Sequence, residues 1–329
     1  MNVGGLVEAR AEGLYCPVGD FHIDPWQPVK RAVITHAHSD HAYPGSKAYL
    51  TAAAGAALLR TRVGEEARIE TLEYGQELTM GGVRVSLHPA GHILGSAQVR
   101  IESAGDVWVV SGDYKLAPDP TCAPFEPVRC RTFITESTFG LPVFRWPGEE
   151  ETMAAIEQWW RANREAGRTS LLYAYPLGKA QRLLAGLEAS GEIRVHGAVA
   201  RFNAIYGIAA EHWSEEKAGK GSLVVAPPSA HNTPWSRRFG PASAAFVSGW
   251  MRIRGARRRR SLDRGFVLSD HADWPALLRA IDATGAESVW VTHGFRAPLV
   301  RWLQEHGREA VALETGFEGE RDEAAGDVS

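Results

Sequence analysis

The sequence predicts an α/β (α+β) fold in which one compact helix-and-strand unit is inserted into a strand-rich one. Three observations predict it. The first half is a series of short runs rich in β-branched and aromatic residues, broken by Gly, Pro and Asp. From Glu149 the pattern turns helical and then alternates helix with buried strand. From Gly265 the chain returns to strand, polar turn and helix, as if resuming the first unit. The expected segments are 1–148 and 261–316 for the host, 149–260 for the insert, and a polar, disordered tail over 317–329.

The elements follow in order. "FHI", "RAVIT", "KAYLTA", "VRVSLHPA", "AQVRIES" and "DVWVVSG" read as strands, and "AAAGAALLRTR" (Ala52 to Arg62) as a helix between them. "EEETMAAIEQWWRANREAG" places Met153, Ile156, Trp159 and Trp160 at helical spacing, with acidic residues in the first turn where the helix dipole favours them. "SLLYAYP", "GSLVVAPP" and "AAFVSGWM" are further strands, and "GKAQRLLAGLEAS" is a helix. "GFVLSDHADW" and "SVWVTHG" each deliver a strand, a turn and the start of a helix.

Composition sets outer limits. The 329 residues hold 44% hydrophobic and 23% charged residues, the balance of a globular protein that can bury a large core. The formal net charge of −3 does not announce a polyanion partner, so any nucleic-acid surface has to be local. Cys16, Cys122 and Cys130 are too few and too scattered for a disulfide framework or a C-x-x-C metal site. A cytoplasmic location is expected, with no signal peptide and no membrane-spanning run.

Four strands end in histidine, aspartate or both. "RAVIT" delivers His36, His38, Asp40 and His41; "VSLHPA" delivers His92; "DVWVVSG" delivers Asp113; "SVWVT" delivers His293. Imidazole and carboxylate ligate zinc, manganese or iron, and a carboxylate can bridge two metals. His36 and His38, two apart, are expected to leave a strand end pointing the same way. A lone histidine at a strand end is ordinarily a hydrogen-bonded one, the reading preferred for His22, His88, His196, His212, His231 and His306. H-x-H-x-D-H after an apolar run, with three further strand-end ligands, points to metal instead.

"THAHSDH", "GHILGSA" and "SGDY" together resemble the metallo-β-lactamase superfamily of binuclear metallohydrolases. "ITESTFG", "VLSDHADW" and "VTHG" resemble the three additional motifs of its β-CASP branch, which contains nucleases acting on DNA and RNA. "GLYCPVGDFHIDPWQPV" further resembles bacterial exonucleases associated with DNA ligase. The resemblance implies an αββα sandwich with an inserted β-CASP cap. It implies two divalent metal ions, zinc first, with manganese or iron as alternatives. His36, His38 and His92 would hold one metal; Asp40, His41 and His293 the other; Asp113 would bridge them. Asp24 in "FHIDP" matches the aspartate that orients the histidine loop, with Asp20 as the competing candidate. Glu136 would orient His271, which would protonate the leaving alkoxide, and Asp40 would serve in catalysis as well as binding.

Outside those motifs, the arginine run Arg254–Arg260, with Arg257, Arg258, Arg259 and Arg260 adjacent, could clamp phosphates. Lys179 and Arg182 share a helix face and are candidates for the same role. Ser229, His231 and Asn232 match no motif. The expected function is phosphodiester hydrolysis on nucleic acid, DNA before RNA, as a DNA repair exonuclease with a functional link to a DNA ligase. The rivals are an RNA-processing ribonuclease, a small-ester metallohydrolase and a non-catalytic scaffold.

Overall fold

The computed structural model describes residues 5–188, 191–212, 214, 219–253 and 263–314. It divides into two compact units: the chain up to Val143 together with the chain from His271, and the segment Phe144–Asp270. The second unit thus extends beyond 149–260 on both sides. Phe144 packs edge-on against Trp250 at 5.6 Å, and the strand Arg264–Phe266 pairs within the same unit.

The first part of the host carries β1 (Glu8–Arg10), β2 (Gly13–Cys16), β3 (Phe21–Ile23), β4 (Ala32–Val33), β5 (Tyr49–Ala52), α1 (Ala56–Val63) and β6 (Ile69–Leu72). These strands form one sheet in chain order. The stretch read as a single helix from Ala52 instead completes β5, makes a 3-10 turn at Ala53–Gly55, and only then becomes α1. Packing is the reason: the backbones of Gly55 and Gly95 meet so closely that a Cβ on Gly95 would fall 2.1 Å from Gly55 Cα.

β7 (Glu77–Met80), β8 (Val83–Pro89), β9 (Ala97–Ser103), β10 (Asp106–Val110) and β11 (Thr132–Ser137) follow. The inserted unit then supplies α2 (Glu149–Glu165), β12 (Thr169–Tyr173), α3 (Lys179–Gly186), β13 (Ile193–Val195), α4 (Gly197–Tyr206), β14 (Glu211–His212), β15 (Leu223–Ala226), α5 (Pro234–Arg237), β16 (Ala242–Val247) and β17 (Arg264–Phe266). The host resumes with α6 (Trp274–Thr284), β18 (Ser288–Gly294), α7 (Arg296–Glu305) and β19 (Glu309–Ala312).

The host's second sheet has the order β19-β18-β11-β10-β9-β8-β7. Alternation along its strands separates two cores. Trp108, Val110 and Ile134 face the first sheet, meeting Leu14, Ile23, Val33 and Leu50. Val109, Phe133, Val289 and Val291 face the other way, covered by Leu277 and Ile281 of α6 and Leu299 and Leu303 of α7. α1 covers the first sheet's outer face through Leu59, against Ile34 and Tyr49. The host is therefore an αββα sandwich.

The inserted unit is a six-stranded sheet, β14-β13-β15-β12-β16-β17, parallel throughout. Continuous apolar strands such as "LLY" and "LVV" suit a sheet covered on both faces. Met153, Ile156, Trp159 and Trp160 of α2 are all buried against one face, as their spacing requires. Among the described residues, no helix is long and apolar enough to cross a membrane.

Candidate metal centre

β10, β11 and β18 are parallel neighbours, so their C-terminal ends lie side by side. That end carries Asp113 just past β10, Glu136 in β11 and His293 in β18. Gly112 makes the turn that presents Asp113. Its φ is +57°, and a Cβ there would sit 2.6 Å from Thr35 Cβ, so only glycine fits. His92 is held in the turn between β8 and β9, where Ser96 Oγ accepts from the backbone N–H of His92 and Ile93 at 3.0 and 3.2 Å.

The H-x-H-x-D-H segment departs from the expected geometry. β4 ends at Val33, so His36 and His38 project from a loop and not from alternating strand positions. A turn closes that loop, with His41 N–H and Ala42 N–H donating to the His38 carbonyl at 3.1 and 2.9 Å. The His36 and His38 rings meet edge to face at 4.8 Å.

Asp24 and Asp20 separate cleanly. β3 and β4 run parallel, which brings Asp24 beside Thr35. The Asp24 carboxylate accepts from Thr35 N–H at 2.7 Å and Thr35 Oγ1 at 2.5 Å, and lies 2.8 Å from His41 Nδ1. Its backbone holds φ +44°, a left-handed conformation that aspartate tolerates better than most side chains. Asp20 is turned to Lys30, Arg31 and Tyr15, whose hydrogen bonds pull its carboxyl down to about 2.

The cluster converges on Asp113. Its Oδ2 lies 3.5 Å from His36 Nε2, 3.4 Å from His41 Nε2 and 3.9 Å from His92 Nε2, and its Oδ1 lies 3.0 Å from His293 Nε2. His38 Nδ1 stands 3.1 Å from His92 Nε2. Two groups could hold metal ions, His36/His38/His92/Asp113 and His41/Asp113/His293, each with ligand atoms within 4.8 Å of one another and every member buried. A third, Asp113/Glu136/His271, meets the same criterion. Asp40 joins none of the three; it is half-buried, with Oδ2 3.9 Å from His41 Nε2.

The donors fit divalent metal. Buried polar atoms ordinarily find a partner, yet His36 Nε2 is buried and makes no hydrogen bond, while its Nδ1 meets Thr35 Oγ1 at 3.0 Å. His293 repeats the arrangement, with Nδ1 3.1 Å from Thr292 Oγ1 and Nε2 turned to Asp113. In both, the threonine engages one ring nitrogen and leaves the other facing the cluster. Burial, then the neighbouring His41 and His92 rings, hold the His36 imidazole well below its ordinary value, keeping it neutral as a ligand must be. Burial also opposes charge on His41, but Asp113, Asp40 and Asp24 outweigh it and raise that imidazole well above its ordinary value. Burial alone would raise the Asp113 carboxyl; His41, His271 and His293 outweigh it and hold Asp113 well below the usual range. A crevice lined by Trp26 and Leu14 reaches Asp40, His41 and His293.

Beside the cluster, His271 Nδ1 lies 3.1 and 3.2 Å from the two oxygens of Glu136. Glu136 also accepts from Tyr114 N–H at 2.9 Å, which ties it to the residue after Asp113. Thr35 and Thr292 escaped the sequence reading, although a signal was present: both precede a histidine, in "ITH" and "VTH".

Lys179 and Arg182 require a correction. Both are buried in the inserted unit and paired with carboxylates, Lys179 with Asp270 and Arg182 with Glu149 and Asp270. They do not form the exposed phosphate-facing pair expected of them. Arg257, Arg258, Arg259 and Arg260, like the tail over 317–329, lie outside the described residues.

Over 312 residues the chain is 33% identical to a "Probable DNA ligase" of Opitutus terrae, covering 92% of this chain and 30% of that protein. It is 35% identical over 124 residues to "Endoribonuclease ysh1" of Emericella nidulans, covering 36% of this chain and 14% of the relative. It is 32% identical over 120 residues to "Cleavage and polyadenylation specificity factor 73" of Drosophila melanogaster, covering 36% and 17%. These likenesses support a place in the β-CASP branch of the metallo-β-lactamase superfamily.

The chain spans less than a third of the length of those curated relatives. No family model matches it. Its fold is shared with a solved protein of unknown function from Enterococcus faecalis, at a TM-score of 0.59 and 12% identity, covering 88% of this chain and 80% of that one.

Proposed function

We propose that this chain is a metal-dependent nuclease that hydrolyses phosphodiester bonds, with DNA as substrate, acting as an exonuclease in DNA repair. The observation that carries the reading is the position of His271. It shares Asp113 with both candidate metal groups, 3.9 Å from its Oδ2, while Glu136 holds its Nδ1. A proton donor therefore stands beside the place where the cluster would hold a phosphate.

Two divalent cations held there, zinc first and manganese or iron as alternatives, would supply charge neutralisation at the phosphoryl oxygens and acidify the attacking water. His36, His38 and His92 would hold one cation, His41 and His293 the other, and Asp113 both. Asp40, at the rim, would complete the second set. Glu136 would accept from Nδ1–H of His271 and favour its doubly protonated ring, whose Nε2 proton would pass to the leaving oxygen. Asp24 would accept from Nδ1–H of His41 and so leave Nε2 of that ring free to ligate. The inserted unit is the β-CASP cap, and the site of action is cytoplasmic.

DNA is favoured because the relative named a probable DNA ligase aligns with 92% of this chain. There the aligned segment is 30% of a longer protein, which supports a functional association between this activity and a ligase. The second reading, an RNA-processing ribonuclease, draws on the endoribonuclease relatives, which align over about a third of the chain. End-labelled single- and double-stranded DNA and RNA, incubated with zinc or manganese, separate the two. Mononucleotides from single-stranded DNA alone support the reading; products from RNA alone overturn its DNA part, and no cleavage of any polynucleotide overturns the whole.

A further inference from the structure

We propose that Arg182 is a positioning residue for His271, acting through the peptide that carries it. The inference rests on the reading above that His271 donates the leaving-group proton.

Arg182, on α3, is 2% exposed. Its guanidinium grips two segments remote in sequence. Nε donates to Glu149 Oε1 at 2.6 Å, and Nη2 pairs with the other oxygen of the same carboxylate, a two-point fork. Nη1 donates to the Ser269 carbonyl at 2.8 Å and lies 3.5 Å from Asp270 Oδ1. Lys179, one turn earlier on the same helix face, lies 3.6 Å from Asp270 Oδ2. All these contacts are internal to the inserted unit.

The gripped segments are the two by which the chain enters and leaves that unit. Glu149 opens α2, the first helix after the crossing. Ser269 and Asp270 are the last residues before the return, and the next residue is His271. Ser269 is held by its backbone and Asp270 by both carboxylate oxygens, so the peptide leading into His271 has little freedom. Glu136 anchors the imidazole from its ring side, and the Arg182 clamp anchors it from its backbone side.

A buried cation with two carboxylate partners is an expensive way to fill space. Well-packed apolar residues often match such a group in stability, so what the ionic cluster adds is one defined arrangement. A general acid needs that definition, because its proton must reach the leaving oxygen within a fraction of an ångström. Arginine suits the task where lysine does not, since its planar fork reaches several acceptors in fixed directions.

The test uses the full-length, metal-loaded chain and two substrates. One is a single-stranded DNA oligonucleotide, whose alkoxide leaving group needs a proton. The other is bis(p-nitrophenyl) phosphate, whose nitrophenolate departs without one. Arg182→Met is expected to lower kcat on DNA by about 10- to 100-fold with KM changed less than about 2-fold, and to affect the nitrophenyl ester far less. Metal content is expected to stay intact, and Arg182→Lys to recover part of the loss. Equal losses on both substrates, loss of metal, or unchanged kcat overturn the proposal. His271→Ala run alongside separates the two failures. If it shows the leaving-group pattern and Arg182→Met does not, the positioning role alone falls. If it depresses both substrates equally, the acid role falls and takes the positioning role with it. Asp270→Asn, which keeps the side-chain shape and removes the charge, decides the matter by the same criteria should Arg182→Met fail to fold.

Discussion

Oδ2 of Asp24 lies 2.8 Å from Nδ1 of His41, and that same oxygen accepts from Thr35 Oγ1 at 2.5 Å. One carboxylate thus braces both the threonine that meets His36 and the second imidazole of the cluster. Asp24→Ala is expected to weaken metal binding by about 10- to 100-fold, the usual cost of losing a partner behind a ligand. Asp20→Ala, which removes a half-exposed carboxylate from Lys30 and Arg31, is expected to leave binding unchanged. Competition against a metal-binding dye measures both.

Asp113 belongs to every metal-capable group of the cluster. Asp113→Asn is expected to abolish activity and to cut the bound metal below that of the parent. The parent should lose thermal stability on chelation, by about 3 kcal/mol per site where the free metal had stood at a hundred times its dissociation constant. Calorimetry with and without chelator gives the number, and an undiminished metal content in the variant would overturn the shared-ligand role.

Glu136 and His271 should behave differently from the ligands. His271→Ala is expected to slow DNA cleavage by about 10²- to 10⁴-fold while keeping bound metal, and Glu136→Gln to produce part of that loss. Elemental analysis beside the rate constant decides it: loss of metal in His271→Ala would make His271 a ligand instead of an acid.

Metal uptake should release protons. In the metal-free fold, burial works against the His41 charge, but the carboxylates of Asp113, Asp40 and Asp24 raise its value well above the ordinary 6.5. A raised value means that this charge contributes stability fully present below 6.5 and lost as pH climbs through the raised value. A ligand imidazole must be neutral, so metal displaces this proton at neutral pH and affinity rises with pH. Zinc titrations in buffers of different ionisation enthalpy count the protons, and uptake without release would refute the assignment.

Burial should protect a thiol. Cys130 is pushed up to about 12, chiefly by burial, so its thiolate fraction at pH 8 is about a thousandfold below that of an ordinary thiol. Buried Cys16 is raised for the same first reason. Both are expected to resist alkylation in the native protein and to react after unfolding, which mass mapping of the labelled peptides reports.

The metal cluster was legible because its donors sit in short motifs directly after apolar runs, and parallel strands bring such ends together. Three things were not legible. The choice between Asp24 and Asp20 depends on the pairing of β3 with β4, which a run as short as "FHI" does not reveal. The burial of Lys179 and Arg182 was hidden because helical spacing says which residues share a face, not what covers it. The placement of His36 and His38 on a loop was hidden because an apolar run does not announce where its hydrogen-bonded ladder stops.

The pairing of β11 with β18 has a consequence for how the protein is made. Ser137 Oγ donates to the carbonyl of His293, 156 positions further on, and every rung between these strands joins residues that a ribosome produces far apart in time. The inserted sheet finds all its partners between Thr169 and Phe266, so it can finish while the host still waits for β18. A nascent chain stopped short of Ser288 would lack His293 and would expose one side of β11 as a bare apolar edge, an invitation to pair with another chain. The order of synthesis therefore keeps the host sheet and its donor set incomplete until almost the last strand has been made.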